Sequence, residues 1–221
     1  MRRAILIDMD GVLFDSMPNH AKAWVEAARD FNLPLTYQEV FIHEGRTGKS
    51  TIDILMQRKC GRDSTDQEVA DIYARKCHYF NLLPPAEPMP GALDFLQQAR
   101  NDGYLIVLVT GSGQHSLLDH LNLFFPSIFS PELMVTSFDV REGKPSPEPY
   151  LMGLRKAGVG ANQAIAIENA PLGVRSAVAA GVKTIAVNTG PLPDSALLDE
   201  HPWLLLPSMQ ALAEQWAAIR G

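Results

Sequence analysis

Short apolar runs that alternate with helical patterns constrain the fold of this chain more than any other feature. The alternation occupies residues 90–220, and one further apolar run opens the chain. Strands that alternate with helices form βαβ units, whose strands lie parallel in one sheet. We therefore predict an α/β fold. The predicted strands are residues 4–7, 105–109, 133–136, 164–167 and 184–187, and the predicted helices are residues 91–100, 116–123, 147–157, 171–180 and 209–220.

Residues 19–83 break this alternation, because they contain no long β-rich run. A proline-rich segment, residues 83–90, leads back from this region and is expected to be semi-rigid. We predict a core domain of residues 1–16 and 86–221, and a helical insertion of residues 17–85 that follows the first strand. The helices expected in the insertion are residues 20–31, 37–42, 50–59 and 65–82.

Composition narrows the class of protein. The chain has 221 residues, a formal net charge of −6, 46% hydrophobic and 20% charged residues, as is usual for a globular protein. The acidic balance argues against a general nucleic-acid or acidic-membrane binder. The first apolar run is too short for a signal sequence, and no stretch approaches the roughly 20 apolar residues that span a bilayer. With two cysteines that show no ligand spacing, we expect a reduced cytoplasmic protein.

Two aspartates follow the first apolar run. Asp8 and Asp10 are one residue apart, and alternate residues of an extended segment point to the same side. In open α/β sheets, ligands bind beyond the carboxyl ends of the strands. Two close carboxylates repel each other unless a cation lies between them, and carboxylate oxygens are ligands that Mg²⁺ prefers. A solvated turn is the simpler interpretation of the same residues.

Further polar residues follow the later strands. Thr110, Gly111 and Ser112 come after the run 105–109 and offer a hydroxyl and backbone N–H groups to a phosphate, although a helix N-cap would use the same residues. Lys144 lies between a glycine and a proline, where it could neutralise phosphate charge; most lysines are surface residues. The run 164–167 ends in two oxygen-bearing side chains, Glu168 and Asn169.

These four segments together resemble a known family. In order and spacing they are similar to the four motifs of the haloacid dehalogenase superfamily, and the helical insertion resembles the cap of its β-phosphoglucomutase-like phosphatase subgroup. The resemblance implies a Rossmann-like parallel sheet core with an inserted four-helix-type cap, and a requirement for Mg²⁺. The matching residues are Asp8-Met9-Asp10-Gly11-Val12, Thr110-Gly111, Lys144-Pro145 and Glu168-Asn169.

The resemblance also implies a role for each residue. Asp8 would attack phosphorus and form an aspartyl-phosphate, and Asp10 would act as general acid and then as base. Thr110 would bind the transferring phosphoryl group, and Lys144 would offset its charge. The expected Mg²⁺ ligands are Asp8, the backbone carbonyl of Asp10, Glu168 and Asn169. The expected partner is a small phosphorylated substrate, and we expect a monomer.

Motif four usually ends in an acidic residue, where this chain has Asn169. Glu44, on a glycine-containing loop of the insertion, could restore the missing charge as a metal ligand; a solvent-facing Glu is the simpler interpretation. Together with Tyr73, these residues are similar to a small set of capped enzymes that hydrolyse inorganic pyrophosphate. We therefore predict pyrophosphate as the substrate, with positive charge from Arg46, Lys49 and Lys76.

A sugar phosphate is the alternative substrate. The segment 19–24, which contains His20, resembles the entry segment of β-phosphoglucomutases and sugar phosphatases. A mutase would also need an Arg or Lys of the insertion to hold a second phosphate, which Lys49 or Lys76 could do, and we favour a hydrolase. A non-catalytic phosphate-binding module is a third class, against which the intact Asp8 and Asp10 argue. We interpret His43, His78, His115, His120 and His201 as surface or packing residues.

Overall fold

The computed structural model describes residues 2–112 and 121–220, and these residues form a six-stranded parallel sheet. The spatial order of the strands is β3-β2-β1-β4-β5-β6, which confirms the predicted α/β class. The last strand was not predicted. The strands are β1 (Arg3–Ile7), β2 (Tyr104–Val109), β3 (Met134–Val135), β4 (Ala164–Glu168), β5 (Lys183–Val187) and β6 (Leu204–Leu206).

The apolar runs are continuous because the sheet is buried on both faces. In β1, Ile5 and Ile7 pack on one face in a core that also contains Phe95 and Trp216. Leu6 points to the opposite face, into a second core that contains Tyr150. Both faces of the sheet are therefore covered by helices, and the strand ends are left as its accessible edge.

The insertion contains four helices that pack around an apolar core of their own. Its first helix places Met17, Ala21, Trp24 and Ala28 on one face, since they are spaced three or four residues apart. These residues lie in the same cluster as others from the three later helices. The division into two domains at residues 17 and 85 stays a prediction. The helices are α1 (Met17–Asp30), α2 (Tyr37–Ile42), α3 (Gly48–Cys60) and α4 (Asp66–Asn81).

The remaining helices lie beside the sheet, close to their predicted positions. The predicted helix 116–123 falls mostly outside the described residues. Among residues 2–112 and 121–220, no helix is both long and apolar enough to cross a membrane. The described helices are α5 (Ala92–Asn101), α6 (Glu148–Ala157), α7 (Pro171–Ala179), α8 (Asp194–Leu198) and α9 (Met209–Ile219), of which α8 was not predicted.

The strand order positions the site. Strand β1 lies between β2 and β4, so the chain adds strands on one side of β1 and then on the other. Such a switch point leaves a crevice beyond the carboxyl ends of the strands. Asp8, Thr110 and Asn169 directly follow β1, β2 and β4, so the polar segments singled out in the sequence meet at this crevice.

We predict that Phe95→Ala lowers the free energy of unfolding by about 3–5 kcal/mol. Phe95 is fully buried, and its ring meets that of Trp216 edge-on at 5.1 Å. Denaturant unfolding followed by circular dichroism measures the change. Phe138→Ala is the control, because Phe138 is 75% exposed and its loss should have little effect. Equal effects of the two substitutions would contradict the assignment of the core.

Candidate active site

Lys144 lies at the centre of the crevice, where three strands end. Its ammonium is 2.7 Å from Asp8 Oδ1 and 2.5 Å from Glu168 Oε1, and it donates a hydrogen bond of 3.1 Å to the backbone oxygen of Val109. The side chain is almost fully buried. A single cation therefore holds together the carboxyl ends of β1, β2 and β4.

Glu168 is fixed from two further sides. The hydroxyl of Tyr150, on α6, donates a hydrogen bond of 2.6 Å to Glu168 Oε1. Gly173, in the first turn of α7, lies against the carboxylate so closely that a side chain at that position would overlap it. Tyr150 could not be singled out from the sequence, because a tyrosine on an amphipathic helix has the pattern of an ordinary core aromatic.

Around Lys144 there are more carboxylates than cationic side chains. Asp8 and Glu168 are both buried and share the ammonium of Lys144. Burial and the charge of Glu168 raise the pKa of Asp8, although Lys144 opposes the shift. Burial by itself would lower the pKa of Lys144, but the two carboxylates outweigh it and the pKa is raised. A further cation beside Asp8 would relieve the remaining repulsion.

Asp10 is held by a separate set of hydrogen bonds. Its Oδ1 accepts a hydrogen bond of 2.6 Å from the Ser16 hydroxyl and lies 3.0 Å from His20 Nε2. The other ring nitrogen of His20 is 2.8 Å from the ammonium of Lys76. An ammonium only donates, so Nδ1 accepts and Nε2 carries the proton that is shared with Asp10. Ser16, which the sequence analysis did not identify, is thus part of this network.

The charges in this network shift the pKa of each member. Burial alone would raise the pKa of Asp10, but His20, with help from Ser16 and Lys76, outweighs it and the pKa is lowered. Burial and the charge of Lys76 lower the pKa of His20. Burial also lowers the pKa of Lys76 to about 8. The arrangement therefore favours Asp10 as a carboxylate that can accept a proton.

Asn169 and Glu44 meet across the boundary between the core and the insertion. The Asn169 amide donates a hydrogen bond of 2.8 Å from Nδ2 to Glu44 Oε1. The other amide atom, Oδ1, is buried and has no hydrogen-bond partner among residues 2–112 and 121–220. Burial raises the pKa of Glu44 well above its usual range, and the charges of Asp8, Asp10 and Glu168 add to the shift. In the described part of the chain, no salt bridge to a cationic side chain compensates Glu44.

These residues fit a hard divalent cation. An unpartnered amide oxygen and crowded carboxylates are the kind of oxygen donors that Mg²⁺ takes. Within the described part of the chain, no three side chains of His, Cys, Asp or Glu are arranged as a metal site by themselves. A metal ion here would therefore depend on Asn169 Oδ1 and on a backbone carbonyl, in addition to carboxylates.

The loop between α2 and α3 lies directly over the core. Gly45 and Gly111 approach so closely that a side-chain carbon at Gly111 would be 2.7 Å from the backbone oxygen of Gly45. The Thr110 hydroxyl accepts a hydrogen bond of 3.0 Å from the Ser112 backbone N–H, and both side chains are buried. The phosphate cradle expected at residues 110–112 therefore lies beneath this loop.

A cavity of about 70 Å³ lies between the loop and the core. It brings together most of the substrate residues predicted from sequence, but Lys49 does not line it. The Lys49 ammonium is 2.6 Å from Asp53 one helical turn away, and its side chain is 54% exposed. His43 lines the cavity as well. The predicted residues that line it are Asp8, Asp10, His20, Glu44, Arg46, Tyr73, Lys76, Gly111 and Ser112.

The fold and the site define an α/β protein with an acidic, lysine-centred ligand site under a helical insertion. The sequence model of the haloacid dehalogenase-like hydrolases matches residues 2–181. The chain belongs to this family of hydrolases, as the motifs at the strand ends predicted.

Individual relatives cover most of the chain. It is 33% identical over 188 residues to hexitol phosphatase A of Escherichia coli, with 84% of this chain and 83% of the relative covered. It is 28% identical over 183 residues to a phosphorylated carbohydrates phosphatase of Thermotoga maritima, with 82% and 83% covered. A solved protein from Bacteroides vulgatus, named as a proposed beta-phosphoglucomutase, is 52% identical with a TM-score of 0.96, and the match covers 99% of this chain and 89% of that one.

We predict that Tyr150→Phe lowers the free energy of unfolding by about 1–3 kcal/mol, because it removes a buried hydrogen bond to a charged group. Denaturant unfolding at neutral pH measures the change. Tyr79→Phe is the matched control, since its hydroxyl donates to Asp30 at the protein surface. That substitution should leave stability nearly unchanged. A Tyr150→Phe variant as stable as the control would mean that the hydroxyl does not support Glu168.

Proposed function

We propose that the chain is a Mg²⁺-dependent phosphohydrolase that acts through a phosphorylated Asp8. The contact of Lys144 with both Asp8 and Glu168 is the observation that carries this proposal. It fixes a carboxylate at the edge of the sheet, at the floor of the cavity, beside a charge that can balance an incoming phosphate. A carboxylate nucleophile divides a difficult displacement into two easier steps.

In the first step, an Asp8 carboxylate oxygen attacks phosphorus and the bond between phosphorus and the leaving oxygen breaks. Asp10, in its protonated form, gives its proton to that oxygen. Lys144 balances the charge on the transferring phosphoryl group, and the hydroxyl of Thr110 with the N–H of Gly111 binds its oxygens. Asp8 is the nucleophile in this proposal because its carboxylate is held rigidly at the cavity floor.

In the second step, the Asp10 carboxylate accepts a proton from water, and the water oxygen attacks phosphorus. The bond to Asp8 breaks, which releases phosphate and restores the carboxylate. The lowered pKa of Asp10 keeps its carboxylate ionised before this step, so that it can accept the proton. His20 and Ser16 orient the carboxylate in both steps.

Mg²⁺, held by Asp8, the Asp10 backbone carbonyl, Asn169 and Glu168, would supply positive charge to the phosphate oxygens. Glu44 joins these ligands in our proposal, either directly or through water. The unpartnered Asn169 Oδ1 and the raised pKa values of Asp8 and Glu44 support this set of residues.

The relatives favour a sugar phosphate as the substrate. Two are named as phosphatases of phosphorylated hexitols or carbohydrates, and a third as a β-phosphoglucomutase. These names support the sugar-phosphate alternative of the sequence analysis better than pyrophosphate. Lys76 pairs with His20, and Lys49 lies outside the cavity, so neither gives the second phosphate of a mutase an evident site. We therefore propose hydrolysis rather than isomerisation.

Pyrophosphate is the second candidate, and a specific contact favours it. Glu44 lies against Asn169, as the pyrophosphatase resemblance requires. The cavity of about 70 Å³ is also small beside the roughly 300–1,000 Å³ of typical small-molecule sites. A compact anion fits that volume more readily than a hexose phosphate. The expectations of a monomer and of a cytoplasmic location stay predictions.

We predict that Asp8→Asn lowers kcat by at least roughly a thousandfold, because the amide is not a nucleophile. Phosphate release with Mg²⁺ measures it, and the melting temperature confirms that the variant is folded. Asp15→Asn is the matched control, since Asp15 is exposed on the same segment. Substantial phosphate release by a clean Asp8→Asn preparation would contradict the mechanism.

We predict that hexose or hexitol phosphates are hydrolysed with a higher kcat/KM than pyrophosphate. A phosphate-release assay across these substrates, with isomerisation of β-glucose 1-phosphate followed in parallel, measures the preference. A clear preference for pyrophosphate would replace the first candidate by the second. Isomerisation without phosphate release would identify a mutase instead.

We predict that Glu44→Gln raises the Mg²⁺ concentration for half-maximal activity by roughly tenfold, because it removes one negative ligand. Isothermal titration of the protein with Mg²⁺ measures the same affinity without turnover. Glu39→Gln is the matched control, since Glu39 lies on the neighbouring helix and pairs with Arg58 at the surface. Unchanged Mg²⁺ affinity in Glu44→Gln would exclude Glu44 from the metal site.

A further inference from the structure

His43 is a half-buried residue whose two ring nitrogens have no hydrogen-bond partner in the described part of the chain. It follows the last residue of α2, and its backbone N–H completes that helix by donating to Glu39 and Val40. Both ring nitrogens are shielded from solvent, and neither has a hydrogen-bond partner among residues 2–112 and 121–220. A buried polar group without a partner is costly, so such groups normally acquire one.

The His43 ring lies at the wall of the cavity, where a bound ligand would supply the missing hydrogen-bond partner. His43 lines the same cavity as Asp8 and Asp10, and it directly precedes Glu44. Arg46, on the same loop, also lines the cavity, and its Nε atom likewise has no partner in the described part of the chain. Among the described residues, side-chain nitrogens without hydrogen-bond partners therefore lie together on the insertion side of the cavity, opposite the core residues proposed to bind phosphate.

An imidazole is mostly neutral at pH 7, because its usual pKa is about 6.5. A neutral imidazole has one N–H donor and one nitrogen acceptor. A hydroxyl can pair with either ring nitrogen, because it donates to the acceptor nitrogen or accepts from the N–H. A phosphate oxygen in its ionised form would satisfy only the donor.

We propose that His43 is a specificity-determining residue that binds a hydroxyl group on the leaving group of the substrate. The inference rests on the proposed function, because it assumes that the core residues hold the transferring phosphoryl group. The leaving group then faces the insertion, where His43 lines the wall of the cavity. The chemical class that this site recognises is a hydroxylated phosphate ester, such as a hexitol or hexose phosphate.

The test compares His43→Leu with the unaltered protein on two substrates. With a hexitol phosphate, His43→Leu should raise KM roughly tenfold, because a hydrogen bond to the leaving group is lost. With phenyl phosphate, whose leaving group carries no second hydroxyl, kcat/KM should change less than about twofold. Inhibition by inorganic phosphate should be unchanged, since phosphate binds to the core residues.

Two further variants separate recognition from a structural role. His43→Gln keeps one donor and one acceptor and should recover most of the affinity for the hexitol phosphate. His78→Leu is the matched control, because His78 is an exposed histidine of the same insertion. The melting temperature of His43→Leu should stay constant or rise, because the substitution removes an unpaired buried polar group.

The inference and the proposed function fail in different ways. If the unaltered protein hydrolyses the hexitol phosphate and His43→Leu does so with the same KM, the inference is wrong and the phosphohydrolase stands. Equal losses on both substrates, with a lower melting temperature, would show a structural role and overturn the inference too. If the protein hydrolyses pyrophosphate alone, no hydroxyl is recognised and His43 has another role. If it releases phosphate from no substrate, the proposed function itself fails.

Discussion

The ammonium of Lys144 is the interaction on which the site depends. It contacts Asp8 after β1, the backbone of Val109 in β2 and Glu168 in β4, so it joins three strand ends at the switch point of the sheet. A buried lysine is tolerated only when it is paired, and its removal would leave two buried carboxylates without a counter-charge. The same contact that stabilises this edge of the sheet therefore also fixes the nucleophile of the proposed reaction.

The core and the insertion contribute different chemistry to one cavity. The core supplies the carboxylates and the phosphate cradle, whose positions follow from strand order. The insertion supplies Glu44, His43 and the Lys76–His20 pair that orients Asp10. The close approach of Gly45 to Gly111 brings the two halves together, because any side chain at residue 111 would separate them. In our proposal, the core carries out phosphoryl transfer and the insertion selects the leaving group.

Much of this arrangement could be predicted from sequence, because a residue that directly follows a strand must lie at the carboxyl end of that strand. Asp8, Thr110 and Asn169 are examples. Strand β6 was missed because three leucines are too short a run to be distinguished from a loop. Lys49 was expected to supply charge to the substrate because it was predicted to lie in a loop, whose side-chain directions have no periodicity. In the structure it lies in the first turn of α3 and pairs with Asp53. Three other contributors, Ser16, His43 and Tyr150, depend on contacts between distant segments, which local pattern does not encode.

The central claim is a covalent phosphoryl group on Asp8. Mixing the protein with Mg²⁺ and a substrate that it hydrolyses, quenching in acid within milliseconds and analysing the peptides by mass spectrometry would test it directly. The account predicts an added phosphoryl group on the peptide that contains Asp8, formed at least as fast as phosphate appears, and absent from Asp8→Asn. Turnover of the substrate with no labelled peptide at any time, or with the label on a different residue, would contradict it.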